Sequence, residues 1–155
     1  MNIKAFSMTC GLAVCLLDQA AVAKDVAVCG GSEGYAYYPS AGLMADKSAQ
    51  WTDDPISAGK FTLSISELNK FDLLFTDATG AVVSASQDGA EVLRIGQSEI
   101  GITIAVVYPM LIETYTFLRS QSGPEAIWTS NKHSTPILKA GAYRAKCTFI
   151  NLPLI

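Results

Sequence analysis

Apolar and polar side chains alternate with a period of two from residue 60 onward, which is typical of β-strands that bury one face. The pattern predicts eight strands, at 60–66, 71–75, 81–86, 90–96, 100–108, 112–119, 125–130 and 142–150. The residues that we expect to be mainly buried are Phe61, Leu63, Ile65, Phe71, Leu73, Phe75, Ile102, Ile104, Val106, Trp128 and Phe149. No helical period of 3.6 residues follows residue 23, so the chain is predicted to be all-β.

The connections between these strands are short, and several carry turn residues. The segment 77–80 combines an aspartate with a glycine, and Gln87-Asp88-Gly89 predicts a hairpin of the Asp-Gly kind. Connections this short force neighbouring strands to run antiparallel, because a parallel crossover needs about a dozen residues or more. Within the strand 112–119, alternation places Glu113, Tyr115 and Phe117 on one side.

An antiparallel meander of about eight strands can close into a barrel or fold as a sandwich. The regular spacing of strands and turns favours a small up-and-down barrel, and a β-sandwich is the alternative. Ahead of the meander, 26–29 and 35–38 are predicted to be extended. The segment 39–59 is predicted to be a loop, because prolines and glycines interrupt it.

Residues 1–23 have the three parts of a secretory signal peptide. Lys4 supplies the positive charge, an apolar run extends from Ala5 to Leu17, and Ala21-Val22-Ala23 carries small residues where a signal peptidase reads them. As a helix the apolar run is about 20 Å long, too short for a hydrocarbon core of about 30 Å. We therefore predict cleavage after Ala23, which leaves one β-barrel domain, 24–155, in the periplasm or outside the cell.

Cleavage would leave two of the four cysteines, Cys29 and Cys147, near opposite ends of the mature chain. Cysteines of exported proteins usually pair, because the compartment is oxidising. We predict a Cys29–Cys147 disulfide, which favours closure of the sheet into a barrel. Two cysteines and one distant histidine are an incomplete ligand set, so neither a metal site nor another cofactor is predicted.

The charge and hydropathy of the chain exclude two classes of partner. The formal net charge is −3, whereas nucleic-acid binding and docking on anionic membranes need a basic face. No apolar run of about 20 residues follows residue 23, so the mature chain is not expected to insert into a membrane.

The layout resembles calycin-type barrels such as lipocalins and avidins, which are exported meanders that a disulfide often closes. The resemblance lies in Gln50-Trp51-Thr52-Asp53-Asp54, ahead of the first clear strand, where such barrels place a tryptophan that plugs the base. Lipocalins have glycine two residues before that tryptophan, and this chain has Ala49 there. The resemblance implies the barrel fold and supplies no ligand contacts.

Gly30-Gly31-Ser32-Glu33-Gly34 matches the G-x-S-x-G pattern of serine hydrolases, and His133 in a polar loop is a candidate base. That pattern acts where a strand turns sharply into a helix, whereas 35–39 is extended and ends at a proline. We therefore predict a glycine-rich loop, a solvated His133 and no catalytic activity. Asp53 and Asp54 are adjacent on extended chain and point to opposite faces, so we predict solvated carboxylates.

Five aromatic side chains are the candidate binding residues: Tyr35, Tyr37, Tyr38, Trp51 and Tyr108. Tyr and Trp often anchor interfaces, because they combine a large apolar face with a polar tip. The three tyrosines beside the glycines of 30–34 could form a recognition surface near the barrel mouth. The alternative is that they only cover the edge of the core.

The leading functional hypothesis is an exported, non-catalytic domain that binds a small apolar molecule inside the barrel. The second is a protein-binding module, similar to an inhibitor, of the cell envelope or extracellular space. The third is a serine hydrolase that depends on Ser32 and His133. An empty interior above about 300 Å³ favours the first hypothesis over the second.

The exported protein is expected to begin at Lys24, because Ala21 and Ala23 occupy the positions that signal peptidase recognises. Intact mass and N-terminal sequencing of the product exported by a host cell measure this. Ala23→Leu should leave the precursor uncut. An exported product that begins elsewhere would contradict the assignment.

Overall fold

The computed structural model describes residues 23–77 and 79–153, and the predicted signal sequence 1–22 lies outside the described residues. The strands are β1 (Lys24–Tyr38), β2 (Gln50–Asp53), β3 (Lys60–Ile65), β4 (Phe71–Thr76), β5 (Val82–Ser84), β6 (Glu91–Gln97), β7 (Gly101–Tyr108), β8 (Leu111–Ser120), β9 (Gly123–Lys132) and β10 (Lys139–Ile150). A single 3₁₀ turn, Gly42–Met44, is the helical element of these ranges. No helix in them is long and apolar enough to cross a membrane.

The strands form one antiparallel sheet in the order β5-β4-β3-β1-β10-β9-β8-β7-β6, and β2 pairs with the second half of β1. The sheet curls through 251°, so it is a half-barrel. The predicted all-β antiparallel meander is confirmed, with eight strands between residues 60 and 150. The sheet is open between β5 and β6, which are consecutive in the chain but do not pair. We call this opening the seam.

The seam lies at Gln87-Asp88-Gly89, where the sequence predicts a hairpin. The prediction is wrong, because the strands that flank this turn, β5 and β6, do not pair. The carboxylate of Asp72, on β4, accepts hydrogen bonds from Ser84 Oγ at 2.6 Å and from the Ser86 backbone N–H at 3.1 Å. The backbone N–H of Ala85 also donates to the Leu73 carbonyl on β4, at 2.8 Å. These bonds hold the turn after β5 against β4, so β5 ends after three residues and β6 starts as a second edge strand.

The disulfide joins β1 and β10, the first and last strands along the chain and neighbours in the sheet. Cys29 on β1 lies directly opposite Cys147 on β10, with their Cα atoms 3.8 Å apart. Both cysteines are buried and belong to the core cluster. The predicted pairing is confirmed.

The predicted core is largely confirmed, and Phe149 is the exception. The other ten predicted residues are buried or, for Ile65 and Phe75, partly buried against the core. Phe149 is 41% exposed. The pairing of β10 with β1 skips Thr148, and this bulge reverses the alternation of the strand after Cys147. The side chain that enters the core is therefore Ile150.

The segment 30–34, predicted as a loop, is part of β1. Gly30 and Gly31 form a bulge, since β1 has two residues here where β10 has one. A Cβ atom on Gly31 would lie 2.7 Å from the carbonyl oxygen of Ile56, so only glycine fits this approach. The predicted loop 39–59 likewise contains β2, whose side chains are all exposed and therefore give no alternating pattern.

The tail that follows β10 covers one end of the half-barrel. The backbone N–H of Asn151 donates to β1, and the carbonyl of Pro153 accepts a hydrogen bond from Gln97 of β6 at 2.7 Å. Leu152 packs against the core between them. Trp51, which the resemblance to calycin barrels assigned to the base, lies on β2 and is 63% exposed.

Replacing both cysteines, Cys29→Ala with Cys147→Ala, is expected to lower the free energy of unfolding by about 3–5 kcal/mol. The reason is that the bridge closes a loop of 118 positions in the unfolded chain. Urea denaturation followed by circular dichroism measures the change. Reduced wild-type protein is the control and should match the double variant. Equal midpoints for the oxidised protein and the variant would contradict the prediction.

Candidate functional site

A row of aromatic rings lines the inner face of three neighbouring strands. Tyr115 on β8 lies opposite Trp128 on β9, and Trp128 lies opposite Tyr143 on β10. The ring centroids are 5.3 and 4.0 Å apart, and the planes are nearly parallel. Directly opposite residues of antiparallel strands have the shortest cross-strand distance, so the register places these rings in contact.

The last ring of the row packs over the backbone of β1. Gly34 lies opposite Tyr143, and a Cβ atom there would come within 2.6 Å of the Tyr143 ring. The glycine therefore leaves room for the ring, which is a packing reason for its place in the G-x-S-x-G pattern.

A cavity of about 1030 Å³ opens beside the aromatic row, at the end of the half-barrel where β4 and β7 finish. Its aromatic walls are Phe61, Phe75, Tyr108, Tyr115 and Trp128, and its aliphatic walls include Ile56, Val83, Met110 and Leu111. The volume is at the upper end of the range for small-molecule sites, about 300–1,000 Å³.

One carboxylate, that of Glu113, lies beside the aromatic row in the cavity wall. The Glu113 carboxylate accepts hydrogen bonds from Tyr115 Oη at 2.7 Å and from Ser130 Oγ at 3.0 Å. Burial, and then the negative charge of Glu113, raise the pKa of Tyr115 well above its usual range. The Tyr115 hydroxyl therefore remains a hydrogen-bond donor at neutral pH. Glu113, Tyr115 and Phe117 share the inner face of β8, as their alternation predicts.

Ser32 and His133, the candidate hydrolase pair, lie in different environments. Ser32 is buried in β1, and its Oγ accepts a hydrogen bond from Trp128 Nε1 at 3.0 Å. Its backbone also bridges to Ile56 through bonds of 2.9 and 2.8 Å. His133 is exposed in the connection between β9 and β10, where its backbone N–H donates to the Met110 carbonyl. Ser32 therefore lies in a strand and not in the predicted glycine-rich loop, and its hydroxyl supports the aromatic row.

The five candidate binding residues do not form one surface. Tyr37 and Trp51 lie opposite each other on β1 and β2, with ring centroids 5.5 Å apart. Tyr35 is on the same outer side and is 60% exposed. Tyr38 points to the other face, into a polar cluster. Tyr108 lines the cavity and is separate from the others.

Asp54 is the centre of that polar cluster. Its carboxylate accepts hydrogen bonds from Lys139 Nζ at 2.6 Å, from Tyr143 Oη at 2.6 Å and from Tyr38 Oη at 3.1 Å. Burial opposes the charge of Asp54, but these hydrogen bonds and the Lys139 charge outweigh it, so the pKa of Asp54 is lowered. Burial and the hydrogen bond to Asp54 raise the pKa of Tyr143 to about 12.

This polar cluster could not be predicted from the sequence, because no local pattern links its members. Lys139 is 85 positions from Asp54, and only the fold of β1, β2 and β10 brings the two together. Asp53 is exposed, as predicted, whereas the prediction of a solvated Asp54 is wrong. Because Tyr143 belongs to both features, the cluster ties the loop after β2 to the aromatic row.

Comparisons with protein-family models, with curated proteins and with solved structures found no match to this chain. In the described residues, no group of three or more His, Cys, Asp or Glu side chains is placed to hold a metal ion.

Asp54→Asn is expected to lower the free energy of unfolding at pH 7 by about 1–3 kcal/mol, because the hydrogen bonds to a charged acceptor are weakened. The folded-state pKa of Asp54 lies below its usual value of 3.8. Its contribution is therefore complete above about pH 4 and is lost as the pH falls through the folded-state pKa. Urea denaturation from pH 7 to pH 2 should show a smaller acid loss in the variant than in the wild type.

The adjacent and exposed Asp53 provides the matched control for this measurement. Asp53→Asn makes the same change of charge and should leave the stability at pH 7 nearly unchanged. If the two variants lose stability equally, the cluster does not hold the loop as described.

Proposed function

We propose that this chain is an exported, non-catalytic binding domain that holds a small apolar molecule in the cavity of the half-barrel. The observation that carries the proposal is the cavity itself, about 1030 Å³ with walls that are mostly aromatic and aliphatic. A ligand that covers these walls gains about 25 cal/mol for each Å² of apolar surface removed from water.

The walls of the cavity are held in place by contacts within the protein. Trp128 is fixed by the hydrogen bond to Ser32 and by stacking on both neighbouring rings. The disulfide ties β1 to β10, the strand that carries Tyr143. A site that is already formed spends little binding energy on ordering itself, which favours affinity.

The proposed location, the periplasm or the extracellular space, is supported by the Cys29–Cys147 bridge. Disulfides form and persist in oxidising compartments and are rare in the cytosol. The signal sequence predicted at 1–23 agrees with this location.

A second candidate function is binding to a protein through the outer side of β1 and β2. The supporting observation is that Tyr35 and Trp51 are 60% and 63% exposed, beside the edge strand β2. Trp51→Ala should then abolish capture of that protein and leave occupancy of the cavity unchanged, because Trp51 does not line it.

Saturable binding of a neutral apolar probe, N-phenyl-1-naphthylamine, tests the proposal through the rise of its fluorescence. Val83→Gln is expected to weaken binding about 5- to 20-fold, because it places an amide in an apolar wall at a cost of about 1–2 kcal/mol. Val82→Gln is the matched control, since Val82 is the preceding residue of β5 but does not line the cavity.

Absence of saturable binding would refute the proposal. Equal weakening by Val82→Gln and Val83→Gln would place the probe elsewhere. Native mass spectrometry of the protein purified from its own host is the complementary measurement, and it should show a non-covalent adduct of small-molecule mass.

A further inference from the structure

The cavity contains a carboxylate that an apolar ligand alone does not explain. Glu113 lies on the inner face of β8, between Val106 and Ser130 of the neighbouring strands, and both of those residues are buried. We propose that the ligand is an organic cation, an apolar amine or quaternary ammonium compound whose charged group binds between Glu113 and the aromatic rings. This inference rests on the proposed function and specifies the chemical class of its ligand.

Among the described residues, the hydrogen-bond partners of the Glu113 carboxylate are neutral. Its two oxygens accept hydrogen bonds from the hydroxyls of Tyr115 and Ser130. In the part of the chain that the structure describes, the ion pairs are Lys139–Asp54 and Arg144–Glu125, and Glu113 belongs to neither. Each carboxylate oxygen can accept about two hydrogen bonds, so both retain acceptor capacity. Opposite charges attract more strongly where water is partly excluded, and a bound cation supplies the charge opposite to that of Glu113.

The rings beside Glu113 are suited to the same group. Tyr115 and Trp128 stack next to it, and Phe61, Phe75 and Tyr108 complete the aromatic wall. The negative face of an aromatic ring attracts a cation within about 6 Å. Phe61, Phe75 and Tyr108 lie outside the stacked row, whereas stacking on both sides covers the faces of Trp128. Aromatic walls with one carboxylate favour an alkylated ammonium over a carboxylate or phosphate head.

The charges around the cavity are mainly negative. The lining residues include three carboxylates, Asp77, Asp88 and Glu113, and one cation, Lys60. Burial raises the pKa of Tyr108, and the negative charges of Asp88, Glu113 and Asp72 raise it further. Negative potential therefore reaches the aromatic wall, where it attracts a cation and repels an anion.

Three ligands with the same ten-carbon chain and different heads test the inference: decyltrimethylammonium, 1-decanol and decanoate. The two ionic ligands are titrated below their micelle concentrations and 1-decanol below its solubility limit, at pH 7.4, and displacement of N-phenyl-1-naphthylamine gives each Kd. We expect decyltrimethylammonium to bind at least ten-fold more tightly than decanoate, with 1-decanol between them. This comparison uses the unmodified protein and needs no variant.

Glu113→Gln removes the charge with little change of shape and should weaken the cation about ten-fold while changing 1-decanol less than two-fold. The matched control is Glu99→Gln, an exposed glutamate outside the cavity wall, which should leave all three affinities unchanged. Circular dichroism checks that each variant is folded, and the head-group series decides alone if Glu113→Gln is not.

Equal affinities for the three heads, or tightest binding of decanoate, would overturn the cation inference and leave the apolar binding function standing. Failure of all three ligands and of the probe would refute both.

Discussion

The pairing of β1 with β10 is the constraint on which the rest of the fold depends. β1, β2, β3, β4 and β5 come from the first part of the chain and β6 to β10 from the second, and each group is a local set of antiparallel strands. In the described residues, β1–β10 is the single ladder that joins the two groups, since β5 and β6 do not pair. The disulfide lies within this ladder, so the covalent bond reinforces the place where the two halves meet.

The aromatic row and the polar cluster meet at the same β1–β10 pairing. Tyr143 on β10 stacks on Trp128, lies over Gly34 of β1, and donates a hydrogen bond to Asp54. One side chain therefore connects the cavity wall, the central ladder and the loop after β2. The glycines around Ser32, which resemble a catalytic motif in sequence, provide the bulge and the space that this packing needs.

The strands and the disulfide could be predicted because their signals are local or compositional. Alternation identifies a half-buried strand without knowledge of its partner, and two cysteines in an exported chain allow one intramolecular pairing. Asp54 could not be assigned, because its role depends on Lys139, which only the fold brings near. Phe149 was misplaced because one extra residue, Thr148, changes the face of every side chain after it.

The residues of the cavity wall could not be grouped from the sequence either. Tyr108 was recognised as an aromatic candidate, but the sequence grouped it with the tyrosines of β1 rather than with Glu113 and Trp128. Strand alternation shows which side chains share a face, and it does not show which strands curl toward each other.

The seam separates the two halves of the sheet without a backbone ladder between β5 and β6. The contact that spans it includes the Arg94 guanidinium over the Phe71 ring, 6.0 Å from the ring centroid, whereas no backbone ladder crosses it in the described residues. Moving the two halves apart about the β1–β10 junction therefore breaks side-chain contacts and leaves every inter-strand ladder intact. In a closed barrel of the same strands, the same separation would break a row of backbone hydrogen bonds, and the open sheet has no such row between β5 and β6.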